Sequence, residues 1–393
     1  MISSSPGPWL RLTALAGVAG TLLAVASGTV GIGHDQVSAL AVPALSAVVV
    51  AAWWAHRRLL GPSLLALLLF GAAAAVTSAD GLHVALAAAA LASGLVSAAQ
   101  CFRGEPAPSG PWRDYVTLTK PRIMSLLLVT GAAGMFVGAQ GAPGLGLFVA
   151  AMAGLALACG GASALNHVLD ADIDRLMGKR TEKRPVAAGR VAPARALEFG
   201  LALSALSFVL LASTVNVLAA TLALVGNLFY VVVYTRWLKR TTPQNIVIGG
   251  AAGAVPPLVG YTAASGDLGL PALWLFLIVF LWTPPHFWAL ALLLKESYAA
   301  AKVPMLPVVR GDEETTRQIV LYSIAMVAFT LGVGLWLGPV YSVAAAALGA
   351  IFLAMAWRLR RAPNRRNAGL LFHYSLLYLA LLFVAAAADP VLL

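Results

Sequence analysis

The sequence predicts an all-α polytopic membrane protein, and three observations carry that reading. Of 393 residues, 60% are hydrophobic. Only 10% are charged and the mean hydropathy is +0.87, whereas an ordinary soluble domain carries about 25% charged residues. The apolar residues fall in runs long enough to cross a bilayer core of about 30 Å, which takes roughly 20 residues as a helix. A water-soluble globular enzyme, a disulfide scaffold and a disordered chain are excluded, because there are 2 cysteines and a large excess of apolar side chain.

Cutting the chain at charges, prolines and glycine clusters gives about 13 spans. They run near residues 10–31, 37–55, 60–78, 82–100, 122–141, 144–168, 194–214, 215–235, 245–263, 271–294, 317–336, 338–357 and 369–388. Lys and Arg number 26 against 15 Asp and Glu, a net charge of +11. With the N-terminus in the cytoplasm, every Lys and Arg falls on the cytoplasmic side. They sit at Arg11, Arg57 and Arg58, in the 102–122 linker, and in loops near 170–195, 236–240, 295–317 and 358–366. The other side keeps only Asp35, Asp80, Asp267 and Asp389. Positive charge resists translocation, so the basic balance reads as topogenic and no nucleic-acid partner is expected. The chain is therefore placed in the plasma membrane as a multi-pass protein, its polar loops facing the cytoplasm. Met1–Trp9 carries no basic cluster and the first apolar run is a full span long, so no cleaved signal is expected. Cys101 borders the linker and Cys159 lies within a span, so both are expected to be reduced.

A Pro- and Gly-rich stretch, Arg103-Gly-Glu-Pro-Ala-Pro-Ser-Gly-Pro-Trp-Arg-Asp114, divides the chain. It separates a four-span part, residues 1–101, from a nine-span part, residues 119–393, with residues 102–118 as linker. The leading spans are nearly free of polar residues, whereas the trailing part holds long polar loops. The chemistry is expected there.

The sixth span ends Asn166-His-Val-Leu-Asp170-Ala-Asp172-Ile-Asp174 and runs on to Arg180, Lys183 and Arg184. Asn166, Asp170 and Asp174 are spaced i, i+4, i+8, so a continuous helix puts them on one face, about 6 Å apart along the axis. Oxygen ligands in a row repel one another unless a hard cation sits against them, and Mg²⁺ takes one or two carboxylates with water and phosphate oxygens. The basic cluster that follows adds anion-binding capacity, so the two grips together suggest a diphosphate. The plainer alternative is a set of solvated or paired helix-end residues. Asp172 lies about 200° round from Asp170 and is expected to face solvent or to support its neighbours.

At these residues the chain resembles the UbiA-type intramembrane prenyltransferases, whose signature is Asn-x3-Asp-x3-Asp on the second helix of a nine-helix bundle. Further phrases resemble the haem-farnesylating branch: Thr119-Lys-Pro-Arg122, Tyr234-Thr-x2-Leu-Lys239-Arg240-x-Thr-Pro243-x-Asn245, Trp282-Thr-Pro-Pro-His286-Phe-Trp288, and Pro304-Met-Leu-Pro-Val-Val309. The resemblance covers roughly residues 112–390 and implies a nine-helix UbiA-type bundle preceded by about four extra spans. It implies transfer of farnesyl from farnesyl diphosphate to a vinyl group of haem b, leaving a hydroxyethylfarnesyl side chain and diphosphate. It also implies Mg²⁺ on Asp170 and Asp174, assisted by Asn166. Lys120, Arg122, Arg180, Arg184, Lys239 and Arg240 become candidate diphosphate contacts. The family usually carries a second acidic cluster after its sixth helix. Here that stretch reads Lys295-Glu296-Ser297-Tyr298, with Glu296 as the one carboxylate.

His286 sits within an apolar span, where an imidazole needs a partner. Either haem iron or a neighbouring helix supplies one. His167 lies near the face of Asp174 and reads as a haem contact or as packing. Tyr230, Tyr234, Trp282, Phe287 and Trp288 are candidates either to shield a carbocation or to pack. In the leading part, His56-Arg-Arg-Leu-Leu and Leu82-His-Val-Ala-Leu resemble half of a haem A synthase. On the topology above His34 and His83 fall on the outer side and His56 on the inner, which leaves His34 with His83 as the haem pair, against a packing or docking extension; the likeness makes a haem A synthase a candidate partner. Competing readings are a UbiA-type enzyme acting on a quinone precursor or a chlorophyll, an ion-coupled transporter, and a non-catalytic haem-binding module.

Overall fold

The computed structural model describes residues 110–179 and 181–392, with Ala66 and Ala90 in isolation. Apart from those two alanines, the four leading spans, residues 102–109 of the linker, Cys101 and Arg180 lie outside the described residues. Nine described helices are long and apolar enough to cross a membrane. This makes the chain an integral membrane protein.

A short helix α1 (Trp112–Leu118) precedes α2 (Pro121–Ala139) and α3 (Leu145–Leu169). A one-turn α4 (Ala171–Leu176) follows α3, and a looped segment leads to α5 (Pro193–Thr214). α6 (Val217–Thr241) is α-helical to Leu228, then widens into a π-helical stretch over Phe229–Leu238. α7 (Asn245–Ser265) and α8 (Leu270–Leu293) come next. Two short helices, α9 (Lys295–Ala300) and α10 (Leu306–Val309), lead to α11 (Gly311–Val333), α12 (Pro339–Arg361) and α13 (Arg365–Leu392).

Packing neighbours run α2–α3–α5–α6–α7–α8–α11–α12–α13, and α13 returns to α2, so the spanning helices form a closed ring. Two close approaches, one across the ring and one between neighbours, depend on missing side chains. A Cβ on Gly260 of α7 would collide with the carbonyl oxygen of Gly131 on α2, and one on Gly161 of α3 would meet Ser204 and the Gly200 carbonyl of α5. Bare backbone lets these helices approach, as expected where lipid gives no hydrophobic drive to associate. On the far side, Tyr341, Phe352, Tyr378 and Phe383 are fully buried between α12 and α13.

Span boundaries differ from the sequence reading where charges had been used as cuts. α11 starts at Gly311, not near 317, because Asp312, Glu313 and Glu314 fill its first turn, where the helix dipole favours acids. α6 runs to Thr241 and carries Arg236, Lys239 and Arg240 at its end.

Candidate active site

The site forms where the ends of α3 and α6 meet the turn before α2. α3 ends at Leu169, and Asp170 leaves helical geometry with φ −95° and ψ 3°. The i→i+4 ladder nonetheless continues, from the Asp170 amide to the Asn166 carbonyl (2.9 Å) and from the Asp174 amide to the Asp170 carbonyl (2.8 Å). The expected stripe thus survives a bend. Asn166, Asp170 and Asp174 are all buried, the two acids to 1% exposure.

Three cations surround these groups. Lys239 Nζ donates to Asp170 Oδ2 at 2.5 Å, and Arg184 donates to Asp174 Oδ1 at 2.6 Å. Lys120 Nζ donates to Asn166 Oδ1 at 2.7 Å. The Asn166 amide nitrogen donates to Asp170 Oδ2 (2.8 Å) and to Thr235 Oγ1 (3.0 Å). Thr235 is fully buried in the π-helical stretch of α6. Lys120 takes the left-handed conformation, φ 49° and ψ 61°, directly before Pro121. A side chain at positive φ costs roughly 1–2 kcal/mol, and such strain concentrates at functional sites.

Burial lowers Lys120 to about 7, with Arg184 and Lys239 pushing the same way and Asp170 and Asp174 opposing. Burial raises Asp174, against the pull of Arg184. Tyr298 of α9 reaches the same electrostatic neighbourhood. Burial pushes its hydroxyl up to about 12, aided by Asp170 and Asp174.

Each acid keeps one buried oxygen without a hydrogen-bond partner among the described residues, Asp170 Oδ1 and Asp174 Oδ2. An unsatisfied buried acceptor costs about 1–3 kcal/mol, and more when charged. Open carboxylate oxygens are the ligand type that a hard divalent cation takes, so the donor chemistry present fits Mg²⁺. Among the described residues, no three His, Cys, Asp or Glu side chains converge to hold a metal unaided. Such an ion therefore needs oxygens from amide, water or ligand as well.

Other sequence candidates lie elsewhere. Arg240 binds both oxygens of Asp172 at 2.7 Å and the Leu169 carbonyl at 2.6 Å, so it ties α6 to α4 on the outward side. Its hydrogen bonds hold Asp172 down at about 2. Arg122 is exposed on the first turn of α2 and forms no ion pair among the described residues. Glu296 is exposed and likewise forms no ion pair among the described residues, and no second acidic centre is assembled among them. His167 is buried, with neither ring nitrogen partnered among the described residues.

His286 lies outside this cluster. Its Nδ1 is 2.6 Å from Ser375 Oγ, whose own proton goes to the Phe372 carbonyl. The ring must therefore donate from Nδ1, which leaves Nε2 as the unprotonated nitrogen. The imidazole stacks between Trp282 and Phe372, with centroids at 4.3 and 4.9 Å. A neighbouring helix thus supplies one partner, as one of the two sequence readings expected.

Sequence reasoning missed Thr235. The available signal was a hydroxyl one helical turn before Lys239, directly ahead of Arg236.

A family model, "UbiA prenyltransferase family", matches residues 127–384. The chain is 52% identical over 284 residues to a protoheme IX farnesyltransferase of Roseiflexus sp. (strain RS-1), covering 71% of this chain. It is 53% identical over 282 residues to that of Symbiobacterium thermophilum, covering 70%, and 50% over 295 residues to that of Gloeobacter violaceus, covering 74%. It spans about half (52%) of the Roseiflexus relative, but 94% and 96% of the other two. Among solved structures, a digeranylgeranylglyceryl phosphate synthase superposes with a TM-score of 0.60 at 18% identity, covering 72% of this chain and 99% of that one. A UbiA homolog from Archaeoglobus fulgidus bound to GPP and Mg²⁺ gives 0.51 at 18% identity, covering 70% and 99%. These structural likenesses speak for the fold.

Proposed function

The chain belongs to the UbiA prenyltransferase family, and from that premise we propose that it moves the farnesyl group of farnesyl diphosphate onto a vinyl group of haem b. Water is added in the process, giving haem O and diphosphate. Relatives matched at 50–53% identity are named for this farnesyl transfer to protohaem. The observation that carries the reading is the buried pair Asp170 and Asp174, each with one unpartnered oxygen, ringed by Lys120, Arg184 and Lys239.

In this reading Asp170 and Asp174 are the residues that would hold Mg²⁺. The chemistry the ion supplies is Lewis acidity, which neutralises charge on the departing diphosphate so that the allylic C–O bond ionises. Lys120, Lys239 and Arg184 turn from the cluster to the diphosphate oxygens; Arg180, the further candidate from the sequence, lies outside the described residues. Once Lys120 turns, the Asn166 amide oxygen is freed to assist the acids, while Thr235 keeps its amide oriented. Arg240 supports the site by anchoring Asp172. Apolar helix walls hold the prenyl tail and keep stray water from the cation. The stacked pair Tyr230 and Tyr234, 5.5 Å apart, offers π faces toward positive charge. His286 Nε2 is the nitrogen suited to haem iron, and His167, with no other partner, is the second acceptor contact.

The same reading keeps the protein in the plasma membrane with the acid-bearing end cytoplasmic. It also keeps 119–393 as the prenyltransferase domain and a haem A synthase as the consumer of the product, while the reading of 1–101 as a four-span extension and 102–118 as a linker falls largely outside the described residues. The test is direct: membranes containing the protein receive haem b, farnesyl diphosphate and Mg²⁺, and pigments are resolved by chromatography and mass. A farnesylated hydroxyethyl haem is expected. No product, or transfer only to a quinone precursor, overturns the reading.

A further inference from the structure

The turn between α12 and α13 carries Arg358, Arg360, Arg361, Arg365 and Arg366. Arg360 is engaged, reaching the Glu313 carboxylate at 3.2 Å and its carbonyl at 3.3 Å. The other four are exposed, and none has an acidic partner among the described residues. Arg358, Arg361 and Arg366 line an open groove of about 460 Å³ together with Ala354, Trp357 and Asn364. No carboxylate lines it. A second groove of about 480 Å³ between α3, α5 and α6 contains Arg240 and Asp172, which already neutralise each other.

Helix electrostatics explain only part of this cluster. Arg358, Arg360 and Arg361 occupy the last turn of α12, where the dipole favours cations. Arg365 and Arg366 open α13, where it disfavours them, and no acid stands in that first turn to compensate. The turn is held rigid, because Asn364 Oδ1 caps the Asn367 amide at 2.9 Å and Asn367 Nδ2 donates to the Ala362 carbonyl at 2.8 Å. An anion seated in the groove would relieve the repulsion without moving it.

The groove also continues into an apolar track. Ala347, Ile351 and Ala354 are exposed and share one face of α12 with Arg358 and Arg361. Trp357 is half exposed at the same level, and the Arg361 guanidinium lies 5.4 Å from its ring centroid. Tryptophan at that height is typical of a membrane–water interface. We propose that this groove binds the phosphate headgroup of an anionic membrane phospholipid, with an acyl chain along the Ala347–Ile351–Ala354 track. An orienting role for these arginines during insertion requires neither the rigid turn nor the track. The site is independent of the reaction proposed above.

The full-length protein, extracted from vesicles of equal phosphatidylglycerol and phosphatidylcholine, is weighed with its retained lipids by native mass spectrometry. Phosphatidylglycerol should be enriched roughly tenfold, each nearby arginine adding to the attraction. Arg358→Gln, Arg361→Gln and Arg366→Gln together should abolish the enrichment, and Arg366→Gln alone should reduce it about threefold. The control Arg113→Gln, Arg236→Gln and Lys302→Gln removes the same charge elsewhere and should leave the enrichment in place. Soluble glycerol phosphate should not displace the lipid. Equal retention of both lipids by the unmodified protein, equal loss in the control, or displacement by glycerol phosphate would each overturn the proposal. The unmodified-protein arms hold even if the triple variant fails to fold.

Discussion

Asp170, Asp172 and Asp174 stand within one short stretch, yet they occupy two environments. Asp172 is 61% exposed, and Arg240 satisfies both of its oxygens. Asp170 and Asp174 are each 1% exposed, and each leaves one oxygen unbonded. Leaving a buried acceptor open carries a standing cost in stability that the closed hydrogen bonds of Asp172 avoid. Alternation round the helix separates the two classes, because the outer acid is two residues from each inner one.

The comparison breaks most sharply on metal removal. Chelation with EDTA should abolish haem O formation, with recovery on adding Mg²⁺, as measured by pigment chromatography. Residual turnover in chelator would mean that the open oxygens serve another purpose. Next in size, Asp170→Asn and Asp174→Asn should each lower turnover on the order of 10³-fold with the protein still folded in the membrane. Smaller again, Asn166→Ala and Thr235→Val remove the groups that orient the stripe. Each should cost about 10–100-fold, seen as a fall in kcat at little-changed KM for farnesyl diphosphate.

The smallest effect belongs to the outward acid. Asp172→Asn should keep activity within about threefold, because an exposed ion pair contributes little. Its pH signature is specific. Asp172 is depressed from 3.8 to about 2, so the tie to Arg240 stabilises the fold above the ordinary carboxylate range and is lost as pH falls through about 2. The melting difference between Asp172→Asn and the unmodified protein should therefore be flat from neutral pH down to the ordinary carboxylate range. A large activity loss in Asp172→Asn would erase the distinction between the two faces.

Much of this was legible in residue order. The spacing Asn166, Asp170, Asp174 anticipated a shared stripe, and the nine trailing apolar runs all became helices. What stayed hidden depends on contacts between residues far apart in the chain. Arg240 read as a diphosphate contact beside Lys239, yet one position round the helix sends it to Asp172. Nothing local announces the π-helical stretch of α6, whose buried Thr235 meets Asn166. The left-handed Lys120 was equally silent, since Thr-Lys-Pro-Arg reads as an ordinary helix start. Cutting at charges shortened α6 and α11, where Lys239, Arg240 and the acids at 312–314 belong to helix ends.

The central claim is that the inward acids, and not their outward neighbour, hold a divalent ion with diphosphate. Calorimetric titration of Mg²⁺ with inorganic diphosphate into the purified protein tests it most directly. Binding is expected in the unmodified protein and in Asp172→Asn, and its loss in both Asp170→Asn and Asp174→Asn. Undiminished binding in the two inward variants would contradict the account.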